Sequence, residues 1–288
     1  MKIFNKSKGI LLFYIFDIVL FLILALTFIP FAKNKRVALT SAALNPKYTE
    51  EVSQITIEVP SLNESESVSL KKYGSIWIGS DSKTNCVWPC DSSSVKNLLS
   101  VLSKTVRMYK KSEKSASWES LGVDEESAKK ITLAASDGTV FSKLYYGSED
   151  GILKRICLRS QGQDKTFETE NAVSTYLTAD AQFWADPYIF PQAVTELSKE
   201  ESENFLRRGQ IISFIPPDGS TPSHTLTKIF ENEADITLKF YDNGNNSYSV
   251  TTKINSSPFT SSAEHEGISK LNYSFSISSW TYEKLLEQ

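Results

Sequence analysis

The 288-residue chain carries 31 Lys and Arg against 34 Asp and Glu, with two His, for a formal net charge of −3. Acids and bases are interspersed, so no stretch is basic enough to draw nucleic acid by counterion release. Hydrophobic residues make up 40% and aromatic residues 11%, enough for one large core or two smaller ones.

Residues 1–9 form a short tail carrying Lys2, Lys6 and Lys8. Ile10 to Ala32 then reads ILLFYIFDIVLFLILALTFIPFA. At about 1.5 Å per residue this run is long enough to cross a hydrocarbon layer of about 30 Å. A signal-peptide core is usually about 7–15 residues long and ends in a small-x-small cleavage site. Pro30 stands where a small residue is wanted, so an uncleaved anchor is expected over 10–32. Lys33, Lys35 and Arg36 nearly balance the lysines of the tail, and the positive-inside count is close to a tie. An N-terminal anchor ahead of a long domain leaves the tail in the cytoplasm, which gives an N-in, C-out orientation. Asp17 lies within the span. A carboxylate at that depth is costly and usually has a partner, so contact with another transmembrane helix is one reading. A hydrated or protonated carboxyl near the headgroups is the other.

Residues 33–51 read as a stalk. Beyond it Ile55–Val59 alternates as a strand, and Ser67–Ile78 reads as strand, turn, strand around Gly74. Asp91 and the serines after it resemble a helix N-cap, with Val95, Leu98, Leu99 and Leu102 at helical spacing. This predicts a helix from about Ser94 to Lys110. Lys130–Gly147 is a hairpin turning at Asp137-Gly138. Strands are expected at Leu153–Leu158 and Lys165–Glu168, then a helix at Glu170–Leu177. Asp235–Val250 is a hairpin turning at Asn243-Gly244. Tyr273–Ile277 is a further strand, and a helix closes the chain from Thr281.

The phrase Ile-Thr-Ile at 55 returns as Ile-Thr-Leu at 131 and at 236, each time opening a hairpin. This suggests a repeated unit. The expected architecture is α+β: an N-terminal transmembrane helix, then antiparallel hairpins with interspersed helices in two lobes, 52–191 and 192–288, divided near Pro187–Pro191.

The order of anchor, Ile-Thr-Ile strand, Leu70…Trp77 hairpin and Pro89…Asp91 lead into the Val95-Leu98-Leu99 helix is familiar. So are the Leu121-Gly-Val-Asp turn, the Asp137-Gly138 hairpin ending in Tyr146-Gly147, and Phe183…Asp186. Over roughly Val52 to Pro191 the chain resembles an uncharacterised family, a domain of unknown function, of N-terminally membrane-anchored bacterial proteins. Members are found beside gliding-motility-type ABC exporter components. The resemblance implies an envelope-facing accessory role at the cytoplasmic membrane, with an exporter permease or associated subunit as partner. It carries over no catalytic residue. One departure is Lys154–Arg159, where the family shows a Tyr-x-Arg strand.

The chain's own residues offer little chemistry. His224 and His265 sit in polar, loop-like surroundings, outside any His-Glu-x-x-His pattern and without a Gly-x-Ser-x-Gly elbow. There is no phosphate-cradling glycine motif, so an ATPase would have to be a separate protein. Asp242–Ser247 resembles a calcium loop but lacks the downstream bidentate Glu, and a hairpin turn is the reading preferred. Cys86, Cys90 and Cys157 are too few for a disulfide framework. Unpaired thiols are the first reading, a local Cys86–Cys90 bridge the second; a zinc half-site would lack its other ligands. Glu196–Glu203 reads as a solvated helix face beside Arg207 and Arg208. Of the five tryptophans, Trp77 and Trp184 look like core; Trp88, Trp118 and Trp280 could stack on sugars or peptides.

The functional expectation is a noncatalytic, membrane-anchored scaffold subunit without a cofactor. An envelope hydrolase acting on glycan or peptide through two carboxylates that need not be adjacent in sequence is one alternative. A secreted binding protein is another.

Overall fold

The computed structural model describes residues 14–25, 38–62, 65–196 and 206–287. The chain divides into two compact units, Met1–Leu39 and Thr40–Gln288. In the first, residues 14–25 form helix α1, and its apolar side chains, among them Phe16, Ile18 and Phe21, are exposed. Such a helix is about 18 Å long. Among the described residues no helix is long and apolar enough to cross a membrane. The expected span Ile10–Ala32 lies outside the described residues at 10–13 and 26–32, as does the stalk at 33–37.

The rest is α+β and mainly antiparallel. A ten-stranded sheet has the order β1-β6-β10-β9-β8-β7-β2-β3-β4-β5. Its strands are β1 (Ala38–Ser41), β2 (Gln54–Val59), β3 (Glu66–Tyr73), β4 (Ile76–Asp81), β5 (Val87–Pro89), β6 (Val106–Ser112), β7 (Lys129–Ala134), β8 (Val140–Asp150), β9 (Arg155–Ser160) and β10 (Thr166–Glu170). A five-stranded sheet follows, β11-β15-β14-β13-β12. It comprises β11 (Ile211–Ile212), β12 (His224–Ile229), β13 (Asp235–Asp242), β14 (Ser247–Ser256) and β15 (Ser274–Ser278).

Most neighbours are sequential hairpins, as the turn residues dictate. One long-range pairing joins the first two copies of the repeated phrase: Ile55 faces Leu133, Thr56 faces Thr132 and Ile57 faces Ile131. The isoleucines and Leu133 are fully buried. In β13 the buried row is Ile236, Leu238 and Phe240. These rows, together with Trp88, Trp184 and Phe275, belong to one continuous core shared by both sheets.

Helix α2 (Ser92–Ser103) buries Val95, Leu98, Leu99 and Leu102 in that core. Asp91 caps it, its carboxylate accepting the Ser93 amide at 2.9 Å and the Ser94 hydroxyl at 2.7 Å. The expected extension to Lys110 is not made. Lys104 is extended and Val106–Ser112 is β6, where Met108 is buried between exposed Arg107 and Lys110. From Val106 the apolar period is nearer two than 3.6, and a β-branched residue opens the segment.

The expected helix at Glu170–Leu177 is likewise only a 3-10 turn, Ser174–Tyr176, after β10. Single-turn helices α3 (Trp118–Leu121), α4 (Ala181–Trp184) and α5 (Gln192–Thr195) follow. Helix α6 (Ser262–Ser269) was not anticipated, and α7 (Ser279–Leu286) closes the chain two residues earlier than expected. Ser261 and Glu264 form a capping box at the start of α6, but the helix lacks a strong apolar stripe to announce it.

Candidate functional site

On β3, Val68 and Leu70 point into the core, and Lys72 continues the same row at the end of the strand. Lys72 stands directly across from Trp77 on β4. Beyond them the chain turns at Gly74, whose φ of 61° suits glycine.

The turn is clamped from the far end of the sequence. Glu264 on α6 accepts the Ser75 amide at 2.8 Å, the Ser75 hydroxyl, and the Ser261 hydroxyl at 2.7 Å. These donors hold its carboxyl down to about 2, the Ser75 hydroxyl contributing most. A Cβ on Gly74 would lie 2.7–2.8 Å from the Glu264 side chain. The other face of β4, Ile76 and Ile78, packs with Phe259, Ile268 and Leu271, which seats α6 against the hairpin.

Helix α2 supplies the opposite wall. Lys96, Leu99, Ser100 and Ser103 recur at i, i+3, i+4 and i+7, one stripe beside the buried one. Thr49, Glu50 and Val52 close the third side. Between these three segments lies a cleft of about 490 Å3, within the range of small-molecule sites.

Its lining is cationic and hydroxylic. Neither Lys72 nor Lys96 makes an ion pair among the described residues, whereas Lys111 and Lys130 are paired. Three hydroxyl protons are already used internally: Thr49 donates to Pro46 O, Ser75 to Glu264, and Ser103 to Ser100 O. Those oxygens offer lone pairs. Trp88, Trp118 and Trp184 each give their indole N–H to a protein oxygen. Trp77, only 4% exposed, does not do so among the described residues, although it lines the cleft. Glu50 is the one carboxylate in the lining, which has no His or Cys. The arrangement can hold a ligand and present donors, acceptors and an apolar wall to it. Its one hydroxyl–carboxylate pair, Ser75 with Glu264, has a carboxyl held down to about 2, which makes a weak base.

The residues singled out from sequence lie elsewhere. Asp17 is exposed on α1. Cys86, Cys90 and Cys157 are free and buried, so the Cys86–Cys90 bridge is not formed. Strand β5 runs between these two thiols. Four residues of extended chain span roughly 13 Å, about twice the Cα separation a disulfide allows. Cys86 donates weakly to Ile212 O at 3.3 Å, and burial pushes the Cys90 thiol well up.

His224 begins β12 beside Phe240 and Tyr282, and His265 is exposed on α6, so neither occupies a loop. Trp88 is fully buried and unavailable for stacking on a ligand, as are Trp77 and Trp184 over most of their surface; Trp280 is exposed. Trp118 covers the Arg159 guanidinium at 4.0 Å, with Tyr145 on the other side at 3.7 Å. The Asp242 segment is a hairpin turn in which Asp242 accepts the Gly244 amide at 2.7 Å. Residues 197–203 of the acidic run lie outside the described residues. Arg208, expected on a solvated face, instead donates to Asp186 O at 2.7 Å and Gly209 O at 2.8 Å.

Asp186 is the most perturbed acid. It is 4% exposed, and its carboxylate accepts the Tyr188 amide at 3.0 Å and the Ala193 amide at 3.3 Å. Burial raises its carboxyl to about 7 against those two donors, with Asp91 adding to the rise. Its donors are backbone amides of the segment that follows it, the pattern of a structural staple. Among the described residues no group of three or more His, Cys, Asp or Glu is placed to hold a metal ion.

The sequence reading missed the cleft. Its one visible trace was the polar stripe Lys96, Ser100, Ser103 beside the apolar one. Comparison with protein-family models, curated proteins and solved structures finds no match to the chain.

Proposed function

We propose that this chain is a membrane-anchored, noncatalytic binding subunit of the bacterial cell envelope, working beside an ABC exporter. The observation that carries the reading is the cleft between α2 and the β3–β4 turn. Its lysines without an ion pair among the described residues, its hydroxyl groups and its single carboxylate suit recognition better than bond cleavage. A hydrolase would need two converging carboxylates or an activated nucleophile there.

The finer architecture in this proposal is a transmembrane helix over 10–32 with the tail inside and the folded part outside, followed by two lobes. The exposed apolar surface of α1 supports the anchor. Strands β2–β10 fall within 52–191 and β11–β15 within 192–288, so each lobe of the proposal carries its own sheet on the shared core. Tethering raises the local concentration of the folded part at its partner, and Asp17 is the residue that would meet a neighbouring helix.

The test is carbonate extraction followed by crosslinking and affinity purification of the full chain from native membranes. The proposal expects retention in the membrane and recovery of exporter subunits. A soluble product beginning after Ala32, or turnover of envelope glycan or peptide by the purified chain, contradicts it.

A further inference from the structure

Four features of the cleft bear on what it takes. Lys72 and Lys96 approach from opposite walls, a strand and a helix, and no described acid pairs with either. The hydroxyls of Thr49, Ser75 and Ser103 donate to Pro46 O, Glu264 and Ser100 O, which leaves their oxygens able to accept. Ser100 makes no side-chain hydrogen bond among the described residues. The Trp77 indole lines the cleft, and its N–H makes no hydrogen bond among the described residues, yet it is not one of the buried atoms left without a partner, so it is accessible there.

We infer that the cleft between α2 and the β3–β4 turn binds an anionic sugar, a saccharide unit bearing a phosphate or carboxylate. The inference rests on the binding-subunit reading and names the ligand class of that site. The anion accounts for the two cations. Sugar hydroxyls are donors, and they match the oxygens of Thr49, Ser75 and Ser103. The same hydroxyls can accept from Trp77, and the apolar face of the sugar ring lies on Val52 and Leu99. A bare phosphate would satisfy the lysines but bring no donors to the Thr49, Ser75 and Ser103 oxygens. A neutral sugar would satisfy the acceptors and leave both ammonium groups without a counterion. A volume of about 490 Å3 holds one or two sugar rings.

The walls are fixed before any ligand arrives. Asp91 caps α2, and Glu264 holds the Gly74–Ser75 turn, so little ordering is left to oppose binding. Lys72 stands across from Trp77 in the strand pairing, which places an apolar surface beside the lysine stem.

The test is isothermal titration calorimetry of the full chain in detergent with four probes: glucose 6-phosphate, glucuronate, glucose and inorganic phosphate. At least one anionic sugar is expected to bind saturably and more tightly at low salt. Glucose and inorganic phosphate are expected to bind at least about tenfold more weakly, and Lys72→Gln or Lys96→Gln to weaken the anionic sugar about three- to tenfold. Lys96 is exposed and Lys72 partly exposed, and an unchanged thermal melt shows that the fold is intact. No saturable binding of either anionic sugar overturns the inference. So does equal binding by glucose or inorganic phosphate, or undiminished binding by the Lys72→Gln/Lys96→Gln double variant. Any of these outcomes leaves membrane retention and partner recovery, which test the function itself, unaffected.

Discussion

Ser75 gives both its amide and its hydroxyl to Glu264, 189 residues further along the chain. This contact ties the turn between β3 and β4 to α6, and the same turn forms one rim of the cleft. A residue near the end of the sequence therefore sets the shape of a site built from residues between Thr49 and Ser103.

The contact carries an acid signature. The Glu264 carboxyl sits at about 2, below its usual 4.5, so its stabilisation is fully present above about pH 4.5 and is lost as the pH falls towards 2. Glu264→Gln should flatten that acid limb and cost about 1–3 kcal/mol at pH 7. Urea unfolding at pH 7 and pH 3.5 checks both; an unchanged acid limb would show that Glu264 is not the group responsible.

Gly74→Ala tests the turn itself. The new Cβ would sit at a φ of 61° and within 2.8 Å of Glu264 Cγ and Cδ. A loss of about 1–3 kcal/mol is expected from the backbone strain, with faster amide exchange at Ser75. A variant as stable as the parent would mean that the turn adapts freely.

Asp186 gives the opposite pH dependence. Its folded carboxyl is raised from 3.8 to about 7, so the native state holds a proton that the unfolded state releases. This contribution to stability is present below about pH 4 and declines as the pH rises to about 7. Asp186→Asn should remove the decline, so that the gap between variant and parent in thermal midpoint moves in the variant's favour from pH 5 to pH 8. A gap that does not move would place the ordinary carboxyl range at this site.

Asp91→Ala should cost about 1 kcal/mol through loss of the α2 cap, read as a lower urea midpoint with an unchanged slope. It should also weaken ligand binding, because the Lys96, Ser100 and Ser103 wall would fray from its first turn. A lower midpoint with unaltered binding would detach the cap from the cleft.

The hairpins were legible because their turns carry the residues that positive φ requires. Gly74, Gly138 and Gly244 all have φ above 60°. The start of α2 was legible from Asp91 and the Val95, Leu98, Leu99, Leu102 stripe. Its end was not, because Val106–Ser112 continues with apolar residues and only the change of period marks the strand. Helix α6 was hidden by its weak stripe, although Ser261 and Glu264 stood at capping-box spacing. The cleft was hidden for a different reason. Residues 49–52, 72–77 and 96–103 meet only once β3, β4 and α2 have packed, and the Glu264 clamp reaches them from another part of the chain. Lys72 reads locally as an exposed strand lysine. Only its place after Val68 and Leu70 on the inward row reveals where it points.

The central claim is that the cleft binds without converting what it binds. Equilibrium dialysis of the full chain in detergent against a soluble digest of envelope glycans, followed by mass spectrometry of both chambers, measures this directly. Anionic saccharides should collect on the protein side and be recovered intact, and the Lys72→Gln/Lys96→Gln variant should abolish the enrichment. Accumulation of cleavage products with the chain present, or equal enrichment by the double variant, would contradict that claim.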